Sequence, residues 1–178
     1  MTPFEEKAVL DSMVVLVDTR EQDTDRARRR YKQIDRPIRR RTLNFGDYTY
    51  DATLPDGNSI YAPEGLIRPK FCVIERKMDL DELAQCFTRS RKRFSAELQR
   101  AADAGCRIYL LVEEGSIEAI LRRKYRTKLL PKAFLASLTA WMVRYNCQVI
   151  FCSELTSGLL IEEILRRDLK ERLERGEL

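Results

Sequence analysis

Phe71-Cys72-Val73-Ile74-Glu75-Arg76-Lys77-Met78-Asp79-Leu80-Asp81 is the stretch on which the reading of this chain turns. Four apolar residues run directly into three charged ones, the pattern of a short buried strand that ends at a surface. From Asp79 the period changes: Leu80, Leu83, Ala84 and Phe87 recur at i, i+3, i+4 and i+7, which is one face of a helix. In a strand, residues i and i+2 share a face. Glu75 and Lys77 therefore point one way and Arg76 the other.

Upstream, Gly46-Asp47 supplies a second acid. Two acids and a lysine two residues after one of them are the parts of a metal-dependent phosphodiesterase. Hydrolysis of a phosphodiester needs a divalent ion to neutralise developing charge and to make hydroxide from water. Hard cations take carboxylate oxygens, usually only one or two from the protein. Asp47 and Glu75 suit that role. Lys77 is placed to hold the attacking water or to stabilise transition-state charge. A bare Glu-x-Lys is common and is ordinarily a pair of solvated charges. The whole pattern of Gly-Asp, apolar strand, Glu-Arg-Lys, three residues and Asp is far more specific.

That pattern resembles the nuclease domain of the XPF-type structure-specific endonucleases, whose signature is Gly-Asp, a variable gap, and Glu-Arg-Lys-x-x-x-Asp. An early strand ending in Asp-x-Arg-Glu belongs to the same resemblance, and Val14 to Glu21 reads that way through Asp18, Arg20 and Glu21. A family arginine after the first helix has Arg91 as its counterpart, with Arg93 the competing position. The resemblance covers residues 13–152 and implies a restriction-endonuclease-like α/β core, a central mixed β-sheet flanked by helices. It implies a Mg2+-dependent endodeoxyribonuclease, with Mn2+ able to substitute, that leaves a 5′-phosphate and a 3′-hydroxyl. Asp47 and Glu75 would be metal ligands, with the Arg76 carbonyl as a third candidate, and Lys77 would position the water. Asp18 would either ligate metal or hold Arg20 and Lys77. Arg20 and Arg91 would contact phosphate, Glu21 would orient one of them, and Arg76 and Asp81 would support the site.

The partners implied are branched, flapped or forked DNA, in repair or recombination, and a second copy of the chain. The layout is closest to stand-alone bacterial and phage members. Relatives usually add a helix-hairpin-helix DNA-binding domain, for which the 178 residues leave no room. The gap from Asp47 to Glu75 is long, and Leu54-Pro55-Asp56-Gly57-Asn58 with Ala62-Pro63-Glu64-Gly65 suggests an inserted hairpin or loop. A non-catalytic DNA-binding or scaffolding module, or a duplex or RNA nuclease, would share the same fold.

Composition bounds the chemistry. Histidine is absent, which excludes Ser-His-Asp and Cys-His catalysis and histidine-metal nucleases. Five cysteines, an odd number with no Cys-x-x-Cys, argue against a disulfide framework or a zinc site and for small core residues. No apolar stretch approaches the ~20 residues that span a membrane, so a single cytoplasmic domain over 1–178 is expected, with no membrane partner. The net charge is +5, unevenly spread. Residues 20–41 hold ten Lys/Arg against four Asp/Glu, Arg89, Arg91, Lys92 and Arg93 form a second run, and Arg122 to Lys132 contains six basic residues and no acid. Each run alone is ordinarily a solvated face; three around one site point to a polyanion. Tyr31, Phe45, Tyr48 and Tyr125 either stack on bases or pack internally.

Strands are expected at 13–18, 39–43, 47–53, 71–76, 107–113 and 148–152, with a tight turn at Asn44-Phe45-Gly46. Helices are expected at 24–32, from 79 to Gly105 with a continuation or restart near Phe94, from Ser116 to Tyr125, from Pro131 to about 146, and over 159–173 within an amphipathic segment at 153–175. Asp79 or Asp81 would serve in the cap or first turn of its helix. Strands alternating with helices give an α/β sandwich. The apolar stripe on the last two helices serves either the core or a homodimer interface.

Overall fold

The computed structural model describes residues 1–61 and 71–178. The loop expected at Ala62-Pro63-Glu64-Gly65 lies outside the described residues. A six-stranded mixed sheet runs in the order β2-β1-β3-β4-β5-β6. Its strands are β1 (Val14–Asp18), β2 (Ile38–Arg41), β3 (Tyr48–Asp51), β4 (Cys72–Lys77), β5 (Arg107–Glu113) and β6 (Cys147–Cys152). β1 pairs in parallel with β2 and antiparallel with β3. β3 is antiparallel to β4, and β4, β5 and β6 run parallel. The long alternation of strand and helix from residue 71 onward builds that parallel half, as crossover helices require.

Helices cover both faces. On one lie α1 (Pro3–Asp11), α2 (Asp25–Tyr31) and α7 (Ser157–Glu174). On the other lie α3 (Leu80–Phe87), α4 (Arg91–Asp103), α5 (Ile117–Leu121) and α6 (Pro131–Tyr145). The second layer is locked by aromatics: Phe87 and Phe94 pack on Trp141, and Phe87 and Tyr125 pack edge-on against Phe134. The stripe Phe134, Leu138, Trp141 and Tyr145 is thus core. The five cysteines are free thiols, four of them buried.

Two expectations are revised. The chain from 39 to 53 is not a hairpin, because β2 and β3 lie on opposite sides of β1 and residues 42–47 cross the end of that strand. Strands form near both expected places, but a short turn does not by itself make its flanking strands partners. The first helix, α1, was also not anticipated, although Thr2 caps it in a full capping box with Glu5 and Pro3 opens it. Elsewhere Ser116 and Asp79 cap α5 and α3, and α3 and α4 are separate helices broken at 88–90. The turn at 54–58 closes through Gly57 and is flanked by a bridge between Thr53 and Ser59.

Gly46 decides where Asp47 sits. Its φ is +68°, and a Cβ there would lie 3.0 Å from the Ile74 carbonyl oxygen on β4. Only glycine meets both conditions cheaply. Gly46→Ala is expected to lower stability by about 1–3 kcal/mol, read from the urea midpoint; an unchanged midpoint would contradict this account of the crossing.

Candidate active site

The crossing at 42–47 brings Asp47 between two strand ends. Its backbone N–H donates to the Ile74 carbonyl at 2.8 Å, and its own carbonyl accepts from the Asp18 N–H at 2.8 Å. Its side chain is fixed too, with Oδ2 accepting from the Arg76 N–H at 2.8 Å. Asp47 thereby sits directly beside Glu75 and Lys77 on β4. Alternation along β4 works as the sequence implies. The Lys77 ammonium lies over the Phe94 ring of α4, so Glu75 and Lys77 face the α3–α6 layer, while Arg76 faces α2.

The electrostatics are unusual for paired acids. Burial, and then the charge of Glu75, push the Asp47 carboxyl far above the ordinary carboxylate range. Burial likewise raises Glu75, against the pull of Lys77. Asp47 is half-buried, whereas Glu75 is 8% exposed. Lys77 bonds to Glu75 Oε1, and its ammonium lies 3.9 Å from Glu82 Oε1. Burial disfavours its charge, but Glu75 and Asp47 overcome that and raise its pKa. Among the described residues no hydrogen bond reaches Asp47 Oδ1 or Glu75 Oε2. Two desolvated acids with one free oxygen each suit a hard divalent ion that takes only one or two carboxylates. No group of three or more acids or cysteines able to hold a metal occurs among the described residues.

Asp18 does a different job. Arg20 clamps both its oxygens, Nε to Oδ1 and Nη2 to Oδ2, each at 2.8 Å, and the N–H groups of Arg20 and Leu43 complete its shell. Burial pushes Asp18 up, but these hydrogen bonds outweigh it and hold the carboxyl below its usual range. Its side-chain hydrogen bonds run to Arg20 and Leu43, and none joins it to Lys77 among the described residues. Arg20 stays 65% exposed, aimed into a cleft of about 720 Å3 that Arg26, Arg76 and Arg93 also line. Arg91 is an exposed residue at the start of α4 and is not among the residues that line this cleft, whereas Arg93 is. Glu21 bonds to Arg30 and Arg76, not to Arg20 or Arg91. Asp81 stands in the first turn of α3 and accepts from the Arg126 N–H and Nε at 2.6 and 2.8 Å.

Sequence reasoning missed the network behind β4. Glu113, fully buried at the end of β5, accepts from Arg26, Arg30 and Arg76. Arg30 is 1% exposed and also donates to Glu21 and to the Tyr48 hydroxyl. Burial raises Glu113, yet its hydrogen-bond and charge partners Ser157, Arg30 and Arg76 bring it below the usual range. A sequence signal existed: Ala27, Arg30, Tyr31 and Ile34 fall at i, i+3, i+4 and i+7, which puts Arg30 in the buried stripe of α2. Glu82 and Glu97 were also missed; the charges of both push Glu75 up.

Because burial raises the Asp47 carboxyl to about 8, whereas in the unfolded chain it gives up its proton near about pH 4, stability falls as pH rises through that window toward the raised native value. In chelator, the urea midpoint is expected to drop between pH 5 and pH 8, and to drop less in Asp47→Asn. Equal pH slopes in the two proteins would refute the desolvated pair. A divalent ion binds the deprotonated form, so it should restore the midpoint most at the higher pH.

The sequence matches the family model described as the ERCC4 domain over residues 17–158. A search of curated proteins gives no match. Among solved structures, XPF from Aeropyrum pernix aligns with a TM-score of 0.61 at 18% identity, covering 92% of this chain and 69% of that one. XPF from Aeropyrum pernix in complex with DNA gives a TM-score of 0.60 at 20% identity, covering 90% and 66%. At such identities the likeness shows the fold, a mixed six-stranded sheet between helices of the restriction-endonuclease type. With the family model spanning most of its length and the Gly-Asp and Glu-Arg-Lys residues assembled at one strand end, the chain belongs to the ERCC4 domain family, that of the XPF-type structure-specific DNA nucleases.

Proposed function

We propose that this chain is a divalent-metal-dependent endonuclease that hydrolyses phosphodiester bonds in branched, flapped or forked DNA. The observation that carries the reading is the desolvated pair Asp47 and Glu75 beside buried Lys77, with Arg76 between Glu75 and Lys77 lining a cleft rich in arginines. Asp47 Oδ1 and Glu75 Oε2 would hold Mg2+, for which Mn2+ substitutes, and the ion would supply charge neutralisation and an acidified water.

The chain's own residues do the rest. Lys77, kept charged by the two acids, holds the attacking water and balances the charge that builds on the phosphate. Arg20, rigid on Asp18, presents its outer face to a phosphate oxygen; Arg93 approaches from α4. Arg76 and its partners Glu113, Glu21 and Arg30 hold β4 from behind, so that Glu75 and Lys77 keep their direction. The setting would be DNA repair or recombination in the cytoplasm.

The test is cutting of a labelled fork and its matching plain duplex in Mg2+, in Mn2+ and in chelator. Wild-type protein is expected to cut the fork only with metal, and Asp47→Ala, Glu75→Ala and Lys77→Ala to lose at least about a hundredfold in rate while still binding. Wild-type rates in any of these variants would sink the assignment. Pairing of two copies belongs to the same reading. Val143, at 86% exposed on α6, and Leu155 and Leu159 near the start of α7 leave apolar surface outside the core. A dimeric mass in light scattering at high micromolar concentration is expected, and a monomeric mass would remove this part.

A further inference from the structure

The three basic runs have different fates. In the run 26–30 every arginine is paired with an acid of the same chain. Arg26 and Arg30 pair with Glu113, Arg28 with Asp23 and Asp25, and Arg29 with Glu154. In the run 89–93, Arg89 bonds to Gln85 and Arg93 turns to the cleft. The run 122–132 is the reverse. Arg122, Arg123, Lys124, Lys128 and Lys132 are exposed, and none has an ion-pair partner among the described residues. Arg126 alone is paired, with Asp81, and its side chain stays 89% exposed.

This loop is nonetheless built. Tyr125 is buried edge-on against Phe134, and its hydroxyl donates to the Leu129 carbonyl at 2.8 Å. The N–H groups of Arg123 and Lys124 close back on Ile120 and Ala119. Asp81 fixes Arg126 twice, through backbone and side chain. The apolar anchor faces in and the cations face out on a backbone already held. Such a surface binds a polyanion without a large ordering cost.

Its position gives the partner. Asp81 lies four residues beyond Lys77, a span of at most about 14 Å of chain, or roughly four base-pair steps of duplex at about 3.4 Å. We infer that the 122–132 loop is a docking surface for the phosphate backbone of duplex DNA flanking the cleavage site, and that Asp81 is a positioning residue which acts through Arg126 to hold that loop. The placement relative to the cut rests on the proposed nuclease reading; the docking surface itself does not.

The test is equilibrium binding of a labelled duplex in chelator across a salt series, where no cutting is needed. R122S/K124S/K128S removes three exposed, unpaired cations, and R28S/R29S removes two exposed but paired ones as the control. The loop variant is expected to bind on the order of tenfold more weakly at moderate salt, with the slope of log affinity against log salt reduced by about 2 to 3; the control keeps the wild-type slope. Asp81→Ala is expected to weaken binding severalfold, and Asp81→Asn, which retains an acceptor for the Arg126 N–H, to recover part of it. Thermal melts show whether each variant is folded.

A wild-type slope in the loop variant, or an equal drop in the control, would overturn the docking surface. Stronger loop-dependent binding of polyglutamate than of duplex would overturn the choice of DNA. An Asp81→Ala protein that binds normally and is impaired only in cutting would overturn the positioning role. If no metal supports cutting but the loop variant behaves as stated, the nuclease reading fails and the docking surface stands.

Discussion

The structure depends on one residue being held by two strands at once. Asp47 takes a hydrogen bond from the end of β1 and gives one to β4 at Ile74, so its backbone closes the sheet at the point where its side chain is needed. The carboxylate then adds a third tie, to the N–H of Arg76. None of this is possible unless the chain approaches the Ile74 carbonyl to within contact distance, and that approach is what Gly46 permits. The acid is placed by main-chain geometry rather than by side-chain packing. That matters for a group whose other oxygen accepts no hydrogen bond among the described residues.

From there the two faces of β4 divide the work. Glu75 and Lys77 form a buried, short-range pair against Phe94 on one face. Arg76 projects to the other, into a network of Glu21, Arg30 and Glu113. Buried ion networks are poor sources of net stability, because desolvation offsets much of the attraction. Their usefulness here is geometric. Three guanidiniums share the carboxylate of Glu113, so neither Arg76 nor α2 is free to turn. The front acids are both pushed above their usual range by burial, against the pull of Lys77 on each and of the Arg76 N–H on Asp47.

Much of this was legible in the sequence, for identifiable reasons. The strand–charge–helix transition at 71–87 has a change of period that survives any tertiary context, and its face alternation placed Glu75, Arg76 and Lys77 correctly. Ser116, Pro131 and Gly105 marked helix ends because capping and turn chemistry is local. What was not legible depends on long-range partners. The strands at 38–41 and 48–51 read as neighbours by spacing, but a strand between them is a property of topology. Arg91 and Arg93 could not be separated without knowing which side of α4 meets the cleft. Arg30 was hidden because a buried arginine looks like its exposed neighbours unless its apolar stripe is followed. The bond from the Leu43 N–H to Asp18 spans 25 residues, which local sequence does not reveal.

The account therefore rests on where a divalent ion goes. The measurement that bears on it most directly is anomalous diffraction from crystals soaked in Mn2+. The account predicts one ion with oxygens of both Asp47 and Glu75 at about 2 Å, and loss of that peak in Asp47→Asn crystals. An ion bound at Asp18 in place of Arg20, or no ordered ion between Asp47 and Glu75 at saturating Mn2+, would contradict it.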